Sequence, residues 1–396
     1  MRLGTYSFVV LLLLALAPTT FAQVPSFSHV FIVVEENTSY SEVIGQPSMP
    51  YLNSLANTYG LATNFYANTH PSIGNYFMLT TGQEVTNQDE FIGVTDVDNI
   101  VRQLVSAGKT WKCYAESLPS VGYTGGDAFP YLKHHDPISY LSDVVNSSVQ
   151  KQNHVPFSQF ANDFAGARLP AYSFIVPNAF DDGHSCPAGM TTCTHTEKLT
   201  AADNWLKTNI GPLVNSATFQ ADGLLVIVFD EGEINDTTNG GGHVAAVIVS
   251  PKIKSTAYKG RDLYQHQDVL RLMAAGLGLT KFPGSSTYVS DMAQFFGNST
   301  FACPVKSGSA PVVSICAPSN EATLTSPMHL FAGILMNHPI ASVQLVVDGV
   351  VTVLPAMDRV DKQLNLTQGS HLLTVQATDS TKVSTSSIIT VNIVLK

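Results

Sequence analysis

The chain has 396 residues, enough for one large or two ordinary domains. Its formal net charge is −10 and only 13% of its residues are charged, which argues against nucleic acid as a partner, because phosphate backbones need basic surfaces. A polyanionic substrate would have to be bound by local metal or histidine groups, and beyond the N-terminal segment no apolar run is long enough to span a bilayer.

Residues 1–22 read as a signal peptide: Arg2 is the basic end, residues 8–17 an unbroken apolar core, and Thr20 and Ala22 put small residues at the cleavage positions. The mature chain would begin near Gln23, exported and soluble, in the secreted, periplasmic or extracellular space. An uncleaved anchor is the other reading of the same segment. Cys186 with Cys193 and Cys303 with Cys316 can pair as disulfides in an oxidising compartment, which leaves Cys113 as a buried thiol.

Val30 to Val34 is an apolar run that ends in Glu35-Glu36-Asn37 and reads as a first buried strand. Helices are expected over 50–59, from Ser72 onward, and over 100–107, 196–206 and 267–275. Strands are expected over 110–115, 171–176 and 245–249. Residues 116–157 form a long segment rich in aromatics, Pro and Gly, the kind of loop that usually carries function. Leu224 to Phe229 is a continuous apolar run that stops at Asp230-Glu231-Gly232, as a strand buried on both faces would. Strands alternating with helices predict an α/β domain with a largely parallel sheet over residues 23–302. Residues 303–311 read as a linker. Residues 312–396 carry short β-type runs, two of them flanking Asp348-Gly349, a hairpin signal; an immunoglobulin-like sandwich fits this pattern.

Ligands of open α/β sheets sit beyond the carboxyl ends of strands. Four strand ends are expected to meet there, carrying Glu36-Asn37, Pro177-Asn178 with Asp181-Asp182-Gly183-His184, Asp230-Glu231, and Ser250-Pro251. Adjacent acids suit a hard or borderline cation, or are a solvated turn. Ser72, at the start of a helix, is placed for attack on phosphorus beside free backbone N–H groups, or is a plain N-cap.

Taken together, six motifs carry a resemblance. Phe31-Ile32-Val33-Val34-Glu35-Glu36-Asn37-Thr38-Ser39-Tyr40 resembles the opening motif of the phosphoesterase family of bacterial acid phosphatases and phospholipases C. His70-Pro71-Ser72-Ile73-Gly74-Asn75-Tyr76 resembles its nucleophile motif, with Gly74 where the family usually has Pro. The stretch from Val176-Pro177-Asn178 to Asp182-Gly183-His184, Phe229-Asp230-Glu231-Gly232, Gly241-Gly242-His243-Val244, and Tyr264 to Leu272 with His266 complete the set. The resemblance covers residues 26–296. It implies an alkaline-phosphatase-like mixed sheet between helices and one divalent metal ion: Mg²⁺, Ca²⁺, Mn²⁺, Zn²⁺ or iron. It implies Glu36, Asn37, Ser72, Asp230 and Glu231 as metal ligands and Ser72 as nucleophile. Asn75, Asp182 and His266 would serve the substrate, His135 would be a catalytic histidine facing it, and His184 and His243 would contact the phosphate or protonate the leaving group. His134 and His154 are expected at the surface, Asp236 in a solvated loop, and Arg102, Arg168, Arg261 and Arg271 in structural roles.

The expected function is an exported, metal-dependent phosphomonoesterase acting through a phosphoserine. The alternatives are a phospholipase C acting on phospholipid, or an inactive binding protein that uses its C-terminal domain for cell-surface contact.

Overall fold

A computed structural model describes residues 24–287, 289–297, 310–326, 328–354 and 356–394. The expected signal segment, Cys303 and nearly all of the expected linker lie outside the described residues. Residues 223–229 show the logic of the larger sheet: all seven are buried, and each large apolar side chain so covered contributes roughly 1.5–3 kcal/mol. The strands are β1 (His29–Glu35), β2 (Gly60–Ala62), β3 (Trp111–Ala115), β4 (His154–Pro156), β5 (Tyr172–Val176), β6 (Gly223–Phe229), β7 (Ala246–Val249) and β8 (Tyr258–Gly260). They lie in the order β4-β3-β5-β1-β6-β7-β2-β8.

From β4 to β6 the sheet is parallel. β7 then runs antiparallel to β6, and β2 antiparallel to β7. The sheet is therefore mixed, and the reversal decides which ends face the site. Val228 pairs with Ala246 and Leu225 with Val249, so the start of β7, after His243, lies beside Asp230. Ser250 and Pro251 lie at the opposite edge, and the expectation that they join the other strand ends is corrected. No run of side chains records the direction in which a buried strand is threaded.

The expected helices form close to their expected limits. Pro50–Thr58 begins with Pro, which suits a first turn. His195–Trp205 opens on a capping box between Thr194 and Glu197. Ser72–Thr81 stops at Gly82, whose φ is 64°. His266–Gly276 packs beside it. Cys186 and Cys193 are bonded, and Cys113 is a buried thiol, as expected.

The C-terminal strands are β9 (Val312–Ala317), β10 (Ala322–Thr325), β11 (Met328–Leu335), β12 (Ile340–Val347), β13 (Val350–Leu354), β14 (Arg359–Leu364), β15 (Gly369–Asp379) and β16 (Ser384–Val394). They make a five-stranded sheet, β10-β16-β15-β12-β13, and a three-stranded one, β14-β11-β9. Leu330 and Ile334 from one share a core with Val343, Leu345, Val375 and Val391 from the other. Asp348 and Gly349 turn β12 into β13 with φ of 51° and 85°, the geometry of a two-residue hairpin. β13 is an outer strand and leaves Val350, Val351 and Val353 exposed.

Candidate active site

Glu36 and Asn37 follow β1, Asp230 and Glu231 follow β6, and Ser72 is the first residue of its helix. Ser72 does not cap that helix. Pro71 stands at the cap position, and the Ser72 hydroxyl faces the acids instead. Its Oγ lies 3.1 Å from Glu36 Oε2 and 3.3 Å from Asn37 Oδ1. Asn37 Nδ2 donates to Glu231 Oε1 at 2.9 Å, and Asn37 N to Asp230 Oδ1 at 2.9 Å. Asn37 holds φ at 43°, a left-handed value that Asn adopts more readily than most residues. The five residues expected to hold metal are thus brought together.

Charge in this cluster is unbalanced. Burial, with Asp230 and Asp182 nearby, pushes the Glu36 carboxyl well above the usual range. Burial and then Glu231 raise Asp230, and burial raises Glu231. Asp230 Oδ2 is buried with no hydrogen-bond partner. A cation would answer both the crowding and the orphaned oxygen, so these side chains fit a divalent metal ion.

Histidines surround the cluster at different depths. His135 is buried, its ring stacked on Tyr76 with centroids 5.4 Å apart and its Nε2 3.4 Å from Glu36 Oε2. Burial, then the charges of His134 and His184, hold it well below its ordinary pKa, so it is a neutral imidazole. His243 lies between the rings of Tyr40 and Tyr66, at 4.3 and 5.0 Å, and burial lowers it. His184 is exposed; Asp182 Oδ1 accepts its backbone N–H at 2.8 Å. Burial raises Asp182 to about 7, and its Oδ2 lies 3.9 Å from His135 Nδ1.

Several assignments shift when the contacts are seen. The Asn75 side chain, expected to reach a phosphoryl oxygen, is fully buried and committed: Oδ1 accepts from Asn68 N and Thr69 N at 2.9 and 3.2 Å, and Nδ2 donates to Thr69 O at 2.9 Å. It shapes the turn before Ser72. His266 is also fully buried, with Nε2 2.6 Å from the Asp230 carbonyl, so it braces the metal-motif backbone. The Ile73 N–H at the helix start is taken by Asp89 Oδ1 at 3.2 Å. Asp236 is not merely solvated, because its Oδ2 accepts His243 N at 3.0 Å. Arg102 is structural, as expected, held by Asp96 and Asp143.

Two site residues escaped the sequence reading although both stand in a quoted motif. His70 Nδ1 lies 3.2 Å from Glu231 Oε2, and its Nε2 lies 3.0 Å from Asp236 O. Burial alone would lower His70, but these partners leave its pKa raised. The Tyr76 hydroxyl donates to Glu36 Oε1 at 2.5 Å. Gly74 has a local reason: a Cβ there would meet the side chains of Asn87 and Thr69, which would have to move.

A second buried cluster lies under the 116–157 segment. Cys113, Asp136 and His154 bring ligand-type atoms within 4.8 Å of one another, a grouping that can hold a metal ion. His154 is therefore not at the surface: it is fully buried, and Asp136 Oδ2 sits 2.6 Å from its Nε2. The Tyr131 hydroxyl donates to the same oxygen at 2.9 Å, and Cys113 Sγ lies 3.6 Å from Asp136 Oδ1. No helix among the described residues is long and apolar enough to cross a membrane.

The profile of the phosphoesterase family matches residues 46–280. A phosphatidylinositol-3-phosphatase of Mycobacterium tuberculosis is 31% identical over 276 residues, 69% of this chain and 84% of that protein. A probable acid phosphatase of Kluyveromyces lactis is 33% identical over 217 residues, 52% of this chain and 48% of that one. An acid phosphatase of Aspergillus fumigatus is 27% identical, over 66% of this chain and 58% of that protein. The chain thus spans only about half the length of the two fungal proteins, by those same shares. Among solved structures, an alkaline phosphatase superfamily protein from Vibrio parahaemolyticus superposes with a TM-score of 0.50 at 11% identity, covering 92% of this chain and 83% of that one. The similarity to that structure concerns the fold alone.

Proposed function

We propose, from the premise that this chain belongs to the phosphoesterase family and is a hydrolase acting on phosphate esters, that it is an exported, metal-dependent phosphomonoesterase working through Ser72. The observation that carries this reading is the Ser72 hydroxyl, held 3.1 Å from Glu36 Oε2 at the start of a helix and facing an acid cluster with an orphaned oxygen. Glu36, Asn37, Ser72, Asp230 and Glu231 would hold one divalent ion, which when bound supplies positive charge to the serine oxygen and the phosphoryl group.

The rest of the mechanism uses the chain's own groups. Glu36 Oε2 takes the Ser72 proton as Oγ forms its bond to phosphorus. The ester P–O bond breaks, and the leaving alkoxide takes a proton from an imidazole. His184, the exposed one of His135, His184 and His243, suits that step as an imidazolium, and because burial lowers its pKa the step is favoured on the acid side. Water then attacks the phosphoserine and gives a proton to the now neutral imidazole; the P–Oγ bond breaks, inorganic phosphate leaves, and Glu36 returns its proton to Ser72. Asn37, fixed by Asp230 and Glu231, orients the nucleophile; Tyr76 and His135 hold Glu36 in place.

Phospholipase C activity is the second reading. Exposed Phe129 and Ile234, on segments that leave the carboxyl ends of β3 and β6, would give a lipid-bearing ester an apolar rim. The C-terminal strands are read as an immunoglobulin-like sandwich. The test is hydrolysis of an aryl phosphate and of its choline-phosphodiester analogue by wild type and Ser72→Ala, with and without a chelator. Cleavage of the monoester that both changes abolish supports the main reading, and preference for the diester supports phospholipase C. Full activity in Ser72→Ala removes the nucleophile assignment.

A further inference from the structure

The C-terminal sheets meet the larger sheet beside the site, not at its far side. Met336, directly after β11, pairs with Asn239: Asn239 N donates to Met336 O at 3.3 Å, and Met336 N donates to Asn239 Oδ1 at 3.0 Å. Asn239 is buried with φ at 53°. Its carbonyl accepts Gln265 Nε2 at 2.8 Å, and the same nitrogen reaches Ala67 O at 3.1 Å.

Gly240, Gly241 and Gly242 carry this anchorage to the nucleophile. A Cβ on Gly240 would collide with the Asn68 carbonyl, and one on Gly241 with the Thr69 carbonyl. Without side chains the loop lies backbone to backbone on residues 67–69. Gly241 N donates to Ala67 O at 3.1 Å and Ala67 N to Gly242 O at 2.9 Å. Asn68 and Thr69 in turn hold Asn75, three residues past Ser72.

Two more contacts converge from the same side. Leu335 packs with Tyr66 and Leu263, and Tyr66 stacks on His243. Arg359, fully buried, donates to the Leu263 carbonyl and lies 5.0 Å from the Tyr264 ring, two residues before His266. Hydrogen bonds from Met336, the packing of Leu335 on Tyr66 and a buried guanidinium run from the C-terminal strands to the segments that lead to Ser72, His243 and His266.

We propose that the C-terminal sheets are a positioning part of the active site, acting through Asn239 and Leu335 on the His243 loop and the Ser72 turn. This inference rests on the phosphoesterase reading above. Asn239 is a positioning residue, since it touches neither Ser72 nor the acids in any contact described. Displacements of about 1 Å far from the chemistry can cost roughly 10²-fold in rate.

The experiment compares wild type, Asn239→Gly, Asn239→Asp and Leu335→Ala by kcat and KM on an aryl phosphate, normalised to folded protein, and by hydrogen exchange of the 236–243 and 66–69 amides. Gly keeps the left-handed backbone and removes the side chain with its acceptor. Asp keeps the acceptor and, assayed on the acid side where its buried carboxyl is neutral, differs from Asn only at a nitrogen that has no partner. Expected are a kcat loss of about tenfold in Asn239→Gly and Leu335→Ala with KM within about twofold, faster exchange in both segments, and recovery of most of kcat in Asn239→Asp. Unchanged kcat and exchange in Asn239→Gly overturn the proposal, as does an Asn239→Asp loss as deep as that of Gly. If wild type cleaves no ester, the function reading fails, and exchange alone decides this one: faster exchange supports it and unchanged exchange overturns it.

Discussion

Two buried clusters of titratable groups face different fates in this fold. Around Ser72, Glu36, Asp230 and Glu231 crowd together, and their carboxyls are pushed up. Around Asp136, a single acid meets His154, Tyr131 and Cys113. Burial alone would raise Asp136, but the His154 charge and hydrogen bond, with Tyr131 and Cys113, hold it below the ordinary carboxylate value. Ligand-type atoms are close-packed in both places. One acid has several donors to itself in one place, while three crowded acids in the other leave Asp230 Oδ2 without any, and such an excess of buried negative charge is what a cation site requires. The Asp136 cluster reads as a pin that ties β3 and β4 to the segment carrying His135.

The largest effect that would break this contrast is on turnover. Ser72→Ala should lower kcat by roughly 10⁴-fold or more on an aryl phosphate while melting at nearly the wild-type temperature. Equal activity in the two proteins would place the nucleophile elsewhere. Chelation should likewise abolish turnover and lower the melting temperature. At a free metal concentration near 100 times its Kd, the loss amounts to about 2.7 kcal/mol, read as a calorimetric shift that added metal reverses. Metal retained by Asp230→Asn but lost from Asp136→Asn, in metal analysis of the purified variants, would invert the assignment of the two clusters.

A stability effect comes next. Asp136→Asn leaves a buried His154 without its acid and should cost about 3–5 kcal/mol in denaturant unfolding, with kcat of the remaining folded enzyme falling less than in Ser72→Ala. The pH dependence sharpens the same point. A carboxyl held low in the folded state contributes stability above its unfolded pKa, and that stability is lost as pH falls through the folded value. Melting temperature in wild type should therefore fall more steeply below about pH 4 than in Asp136→Asn; parallel curves would mean that the pin carries no charge. The smallest effect is expected from Tyr76→Phe, which removes one hydrogen bond to Glu36, a contact of about 1.5–3 kcal/mol for a charged partner. Roughly tenfold lower kcat with unchanged KM would follow.

Much of this was legible in the chain. Apolar runs that stop at acids marked β1 and β6, and the order of the six motifs marked the site. What stayed hidden depends on pairing in space. The direction of β7 removed Ser250 from the site edge and explains why His243, at the opposite end of that strand, reaches it. The burial of His154 follows from its place opposite Cys113 in the sheet register, which a polar stretch of sequence does not announce. Asn75 could bond a substrate or its own turn, and only the turn's geometry shows that its amide is already used. His70 stood in full view beside Ser72, and its raised pKa comes from Glu231, which is distant in sequence.

The outer strand β13 bears on how the protein behaves in a tube. Val350, Val351 and Val353 are exposed along a strand whose outer side has no paired neighbour among the described residues, and no Pro or Lys interrupts it. Such edges template pairing with another chain, so light scattering should rise with protein concentration and storage time. Val351→Lys should suppress that rise without touching catalysis, and dilute, fresh samples are the ones in which a rate reports on single molecules.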